Sequence, residues 1–485
     1  MVSAALRRPT IALASALFAL LAAAAPAAAA TEDFFGVNGQ RVFNLPSSTW
    51  DAHLATMSSR GLQVVRRDAS WEIAEPNPPD PSTGAHRYVW TGFDQQVAAY
   101  ARHGLRWLPI VDYSAPWAAS IRGDVKSPPA RDADYAAYAV ALARRYGRGG
   151  SFWREHPDLP QLPVRRYEIW NEQNAEYFWR SQSTAPERYA ELYAAARSAL
   201  KAVDPSARVI VGGLALENAG VTDENAFVKR MYAHRPNLRG SVDAIGFHPY
   251  APTVESVYAK IREFRNTLRG LGAGNVPLEL TEVGWTTLTT TDARRGEMLA
   301  QLAQDLPRSD CRIASLIPHT WVTKERDPAN GEDWFGIANA NASLKPSGSA
   351  YLGAVSKMRR SSGGTVEICG ASAATSRAGA SGRHRARGPK LRLRVRRHRR
   401  HARWLVVTLR CPRGCRARLR LLPAGRPTDG RRKAVAQRSL RFSSRRRQLV
   451  LRARGRKRLL QLRVSARGRN GGMTSRARRV RLSRR

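Results

Sequence analysis

Acidic residues all but vanish from the last quarter of this chain. From Ala371 to Arg485 only Asp429 is acidic, against 40 Lys and Arg, 37 of them Arg. That segment supplies +39 of the formal +43 carried by the 485 residues, so the body before it is close to neutral. The high overall pI therefore says nothing about chemistry in the body. Long apolar runs are equally scarce. The single one, Ile11 to Ala25, follows Arg7 and Arg8 and precedes Ala28-Ala29-Ala30, a small-residue cleavage site. Residues 1–30 thus read as a secretory signal peptide. An uncleaved membrane anchor is the rival, but the run is short for a span and rich in Ala. No later segment approaches a span, so the expectation is a secreted chain with no transmembrane segment after signal removal.

Cysteine is sparse too: Cys311, Cys369, Cys411 and Cys415. Four cysteines allow three pairings, and the sequence does not choose among them. A disulfide closing Cys411-Pro-Arg-Gly-Cys415 would leave Cys311 to pair with Cys369, tying the start of the last barrel strand to the end of its domain. Zinc at Cys411 and Cys415 is the other reading, with only His398 and His401 near in sequence as further ligands. A glycine-rich phosphate loop is also missing. Gly36-Val37-Asn38-Gly39 is a poor match, which argues against a doubly wound dinucleotide-binding sheet.

What is present is a repeat of strand and helix. Apolar runs at Phe34–Asn38, Gly61–Arg66, Leu105–Val111, Val164–Trp170, Arg208–Gly213, Val242–Phe247, Val276–Thr281 and Ile313–Ile317 read as eight strands, the second ending in Arg67-Asp68-Ala69-Ser70-Trp71. Amphipathic stretches at Phe93–Arg102, Tyr135–Tyr146, Pro186–Val203 and Val254–Leu268 read as helices. The alternation predicts α/β architecture, a (β/α)8 barrel over 31–357. A Gly/Ser/Arg-rich linker follows over 358–389. Over 390–485, Leu391, Leu393 and Val395, then Leu449 and Leu451, then Leu460, Leu462 and Val464 alternate with arginines. That period of two predicts a small, Arg-rich, all-β sandwich-like domain.

Polar and aromatic residues cluster after the strands, where a barrel of this kind places its active site. Tyr167-Glu168-Ile169-Trp170-Asn171-Glu172 and Leu278-Glu279-Leu280-Thr281-Glu282 each end a strand on a carboxylate. Glu172 and Glu282 are 110 positions apart, so only a fold brings them together. Two such carboxylates suit glycosidic bond cleavage: one attacks the anomeric carbon, and the other protonates the leaving oxygen and then activates water. Mutual repulsion helps hold one ionised and the other protonated.

Trp170-Asn171-Glu172 resembles the acid/base motif of glycoside hydrolase clan A, and Thr281-Glu282-Val283-Gly284-Trp285 resembles its nucleophile motif. His248-Pro249-Tyr250 resembles the His-x-Tyr after strand six, Val65-Arg66 the strand-two arginine, and Trp321 the strand-eight tryptophan beneath the sugar. The resemblance spans Phe34 to Tyr351 and is similar to families 39 and 5. Trp-Asn-Glu-x-Asn with Phe178-Trp179 leans towards family 39, and Gln173 departs from the proline common after Asn-Glu.

The resemblance implies a retaining O-glycosyl hydrolase acting on an oligo- or polysaccharide, with Glu172 as acid/base and Glu282 as nucleophile. Asn171 would bond the sugar 2-hydroxyl, Tyr250 and Arg66 would donate to Glu282, and His248 and Trp321 would bind sugar. Trp71 and Trp117, after strands two and three, are candidate stacking platforms, with rim packing as the plainer reading, as for Trp179. The mechanism requires no metal and no organic cofactor.

Glu168 and Glu279 sit within their strands, so structural ion pairing is expected of them. Asp68 and Asp112 end strands and either line the sugar site or cap loops; His319 is set aside. Two other classes compete: a carbohydrate-binding barrel without catalysis, and a protein whose main role is anionic-polymer or nucleic-acid binding by the tail. The supporting residues of both glutamates are present, which argues against the first. The tail has only Trp404 and Phe442 as aromatics, whereas single-strand binders stack bases on aromatic side chains. Attachment to an anionic cell-surface polymer or plain compositional drift fits it better.

Overall fold

The computed structural model describes residues 32–216, 220–360 and 364–370, together with seven strands between 392 and 481. The signal peptide, Cys411, His398 and His401 lie outside the described residues, and with them the 411–415 disulfide and zinc readings. The chain divides into two compact units, Met1–Ala371 and Ser372–Arg485. No helix among the described residues is long and apolar enough to cross a membrane.

The first unit is a parallel eight-stranded sheet in sequential order. Its strands are β1 (Gly36–Asn38), β2 (Val64–Ser70), β3 (Arg106–Asp112), β4 (Arg166–Ile169), β5 (Arg208–Ala215), β6 (Ala244–His248), β7 (Leu278–Val283) and β8 (Ile313–Pro318). A bridge from Phe35 to Leu316 and the bond from Leu316 N–H to Phe34 C=O (2.8 Å) join the last strand to the first. The sheet is thus the barrel expected from the strand–helix repeat. Among the described residues ten α-helices accompany it: α1 (Trp50–Ser59), α2 (Trp71–Ala74), α3 (Thr91–Arg102), α4 (Asp132–Tyr146), α5 (Ser151–Glu155), α6 (Ala185–Val203), α7 (Glu224–His234), α8 (Val254–Gly270), α9 (Asp292–Asp305) and α10 (Pro346–Arg360).

Helix faces follow from spacing. In α8, Val254, Val257, Ile261, Phe264 and Leu268 recur every three or four residues and are all buried. Each such side chain stabilises the fold by about 1.5–3 kcal/mol. The Thr253 side chain accepts from Ser256 N–H at the N-terminus of α8, and Asp223 and Thr291 cap α7 and α9 in the same way. Each cap is worth about 1 kcal/mol.

Period-two alternation sorts the strand residues into layers inside the barrel. At the bottom, Arg166 pairs with Glu279 (2.7 Å) and Arg106 with Asp33 (2.9 Å). Val64, Leu108, Ile210, Ala244 and Ile317 form an apolar plug above them. Arg66, Glu168 and Thr281 stand one step higher, toward the C-terminal ends of their strands.

The barrel's own residues extend beyond the 357 boundary read from composition. Met358 is buried within α10, and Ile368 and Cys369 pack back against the core. Cys369 is disulfide-bonded to Cys311, 58 positions earlier. The Arg262 and Arg269 side chains donate to the Ile368, Cys369 and Gly370 carbonyls.

In the second unit β9 (Arg392–Arg397), β10 (Trp404–Arg410) and β13 (Arg447–Arg452) form one antiparallel sheet. A second holds β11 (Cys415–Pro423), β12 (Ala436–Phe442), β14 (Leu459–Gly468) and β15 (Met473–Arg481). Leu405 and Val407 alternate inward on β10, as do Leu462 and Val464 on β14.

Candidate active site

Glu172 and Glu282 stand at the C-terminal ends of β4 and β7. One carboxylate oxygen from each, with His248 Nδ1, falls in a cluster whose members all lie within 4.8 Å of one another. Both side chains are largely enclosed, with 16% and 13% of their surface exposed. The backbone turns sharply to present Glu172: Trp170 and Glu172 have φ of 69° and 47°. That left-handed geometry is unfavourable for side-chain-bearing residues and gathers at functional sites. It is held by Glu172 N–H bonding Gly213 C=O (2.9 Å) and by the Tyr189 hydroxyl bonding Ile169 C=O (2.7 Å).

Glu282 is gripped on both oxygens. Arg66 Nη1 donates to Oε1 at 2.7 Å, and the Tyr250 hydroxyl donates to Oε2 at 2.9 Å. His248 Nδ1 and His319 Nδ1 face the same Oε2 at 3.9 and 3.7 Å. Burial alone would raise the Glu282 pKa. The His248 and His319 imidazoles, the Arg66 guanidinium and the Tyr250 hydroxyl outweigh it and hold the carboxyl well below the usual range.

Glu172 has a different environment. Its Oε1 meets His248 Nδ1 at 2.8 Å. On the far side, His248 Nε2 meets Thr281 Oγ1 at 3.0 Å, and the Thr281 hydroxyl gives its one proton to Glu168. Thr281 must then accept from His248 Nε2–H. The His248 ring thereby bridges Glu172 and Thr281, fixing the position of the Glu172 carboxyl. Gly213 is needed beside this ring, because a Cβ there would lie 2.0 Å from His248 Nε2.

Glu168 closes the network. It accepts from Arg66 Nε (2.6 Å), Arg66 Nη2 (3.1 Å), Thr281 and Gly213 N–H (2.9 Å). Asn171 Oδ1 accepts from Arg66 Nη2 at 2.8 Å. Arg66 and Tyr250 thus donate to Glu282 as the sequence reading has it, and Asn171 stands beside Arg66. Glu168 and Glu279 are the buried ion-pair partners expected of strand-interior carboxylates.

Three residues named from the sequence are placed differently. Trp321 is fully buried, and its Nε1 donates to His53 Nδ1 at 2.9 Å, so it presents no face to a sugar. Trp71 is fully buried as well: it stacks on Tyr138 and donates to Glu75 Oε2 (2.8 Å). His248 is buried with both nitrogens engaged, so it orients Glu172 rather than contacting substrate. Trp117 remains half-buried, with its indole N–H on Glu75 C=O (3.0 Å).

His319 is the residue the sequence reading passed over. It packs against Phe335 and Tyr250, with Nε2 on Glu332 at 2.9 Å. Burial would lower its pKa, but Glu282 and Glu332 prevail and raise it. A His two residues before a Trp carries no signal of this, since Glu332 arrives 13 residues later in the same β8–α10 connection.

Asp68 and Asp112 face inward on the opposite side. Gln40 Nε2 bonds Asp68 (2.8 Å) and so braces the loop after β1. Both oxygens of Asp112 are buried without a hydrogen-bond partner among the described residues, and burial with the nearby Asp68 raises its pKa well above the usual range. Lys126, lowered to about 8 mainly by burial, stands 3.0 Å over the Tyr113 ring. Glu172, His248 and Glu282 also have the donor types and proximity of a metal site. Arg66 and Tyr250 already occupy Glu282, so the cluster is satisfied as a hydrogen-bonded one.

No family model matches the chain, and no curated protein matches it. Solved structures do. A family 39 glycoside hydrolase from the gut symbiont Bacteroides cellulosilyticus WH2 is 17% identical, with 87% of this chain and 82% of that one covered and a TM-score of 0.50. A glucosidase from Croceicoccus marinus is 16% identical, with 89% and 98% covered and a TM-score of 0.52. The chain is thus similar in fold to these two proteins.

Proposed function

We propose that this protein is a retaining O-glycosyl hydrolase. The observation that carries the reading is the unequal treatment of two adjacent carboxylates. Glu282 is held ionised by Arg66 and Tyr250, while Glu172, with an oxygen within 4.8 Å of it, has neither of these donors and instead meets His248 Nδ1 at 2.8 Å. Retaining enzymes keep this pair about 5–5.5 Å apart, and inverting ones about 6.5–9.5 Å; the close approach supports retention. Glu282 attacks C1, the C1–O bond breaks, and its electron pair leaves on oxygen, which takes the Glu172 proton. Water then attacks C1 from the vacated side, giving its proton to Glu172 and releasing Glu282. Both solved structures of like fold are described as glycosidases, which supports the assignment.

Glu172→Gln is expected to lower kcat by about 10²–10⁴-fold on substrates with poor leaving groups. Glu282→Ala is expected to be inactive and to be rescued by azide, yielding the glycosyl azide of inverted configuration by NMR. Full activity in both variants would overturn the assignment. We propose further that the protein is exported. The Cys311–Cys369 disulfide supports this, because such bonds persist in oxidising compartments.

A further inference from the structure

We propose that the leaving group of the substrate is an apolar alcohol, aryl or alkyl, rather than a second sugar. The inference rests on the glycosidase reading above. The general acid protonates the glycosidic oxygen, so the departing group stands on the Glu172 side of the scissile bond. There a cavity of about 670 Å³ opens beside the end of β5, walled by Glu172, Ala215, Leu216, Val221, Tyr250 and Ala251.

Among the described residues, the inner wall has almost nothing to offer a hydroxyl group. Four of those six side chains are Ala, Leu or Val, and the Tyr250 hydroxyl already donates to Glu282. The nearby backbone is engaged as well. Ala215 N–H and C=O both bond the Asn174 amide, at 3.0 and 2.8 Å. Ala251 C=O accepts from Trp285 Nε1 at 2.7 Å. A pyranose seated here would bury several hydroxyls with no partner, which weakens binding. Sugar sites instead supply convergent polar groups and aromatic platforms. Among the described residues, the remaining polar side chains of the lining stand at the outer end, on one face of α8: Lys260, Glu263 and Ser256, whose hydroxyl meets Thr253 Oγ1 at 3.2 Å. An aryl or alkyl group fills the apolar part, with any polar substituent reaching the α8 side chains. Turnover releases that group as the free alcohol.

The test begins with glycosyl fluorides, which leave without filling the cavity, to fix the glycone. Two non-hydrolysed thioglycosides of that sugar are then compared as inhibitors of the full-length protein: the benzyl thioglycoside and the thio-linked disaccharide. The benzyl compound is expected to bind at least about tenfold more tightly. In Leu216→Asp, and in Val221→Asp as a second variant, kcat/KM for an aryl glycoside relative to the fluoride is expected to fall about tenfold. Equal or tighter binding of the thio-disaccharide, or an unchanged ratio in both variants, would overturn the proposal while leaving the glycosidase reading intact. Failure of the wild-type protein to turn over any glycosyl fluoride would overturn that reading and this inference together.

Discussion

Arg66 serves two carboxylates at once. Glu168 takes two of its N–H groups and Glu282 a third. Burial opposes its charge, but the two glutamates more than offset that and raise its pKa. One guanidinium against two carboxylates leaves a deficit of positive charge beside Glu282, and His319 faces it. The groups around His319 are Glu282 from β7, Glu332 from the loop after β8 that also carries His319, Tyr250 after β6 and, at longer range, Arg66 from β2. Because the folded pKa of His319 is raised above its ordinary 6.5, its stabilisation is complete below that value and is lost as pH rises through the folded one. His319→Gln is therefore expected to show its largest Tm deficit near pH 5 and a small one near pH 9, at about neutral salt sensitivity for so enclosed a group. Its kcat/KM profile should also lose activity at higher pH on the acidic side, since Glu282 has lost a counter-charge. An equal Tm deficit at both pH values would refute this role. The placement of Glu172 and Glu282 after β4 and in β7, and the donation of Arg66 and Tyr250 to Glu282, were legible in the sequence. Trp71 and Trp321 were not, because Glu75 and His53 turn their indoles inward, and nothing in the local spacing names those partners.

At the scale of elements, the strand ends and the helices of strong period were readable: β4 and β7 end where their carboxylates predict, and α4 and α8 match their apolar spacing. The end of the barrel was not. Ser361-Ser362-Gly363-Gly364 reads as the start of a linker, yet the chain returns through Val366 to pair with Ser309 and to close the Cys311–Cys369 bond. A disulfide across 58 positions restricts the unfolded chain by about 4 kcal/mol in the loop-entropy account. The double variant Cys311→Ala/Cys369→Ala is expected to lose up to about that much stability in urea unfolding. Its kcat should be little changed, because the bond lies at the start of β8, at the opposite end of that strand from His319. Unfolding midpoints that match the wild type with and without reductant would show that the Arg262 and Arg269 bonds to the 368–370 carbonyls suffice without the disulfide.

At the scale of the whole molecule, charge and chemistry are separated along the chain. The body carries 41 basic and 37 acidic residues, and the last 115 residues carry 40 basic and one acidic. The site's electrostatics are set by buried short-range contacts, which salt screens weakly; the tail's charge, carried mostly by arginine, is screened strongly. We therefore expect two different salt responses from one protein. Retention of the full chain on immobilised polygalacturonate at about 50 mM salt should be lost at about 1 M, where the screening length falls to roughly 3 Å. A neutral glucan resin should not retain it at either salt. Turnover of a soluble aryl glycoside should change little over the same range. Retention that ignores salt would sink the electrostatic account. Tighter binding to duplex DNA than to the acidic polysaccharide at matched salt would assign the tail to nucleic acid instead, through phosphate neutralisation.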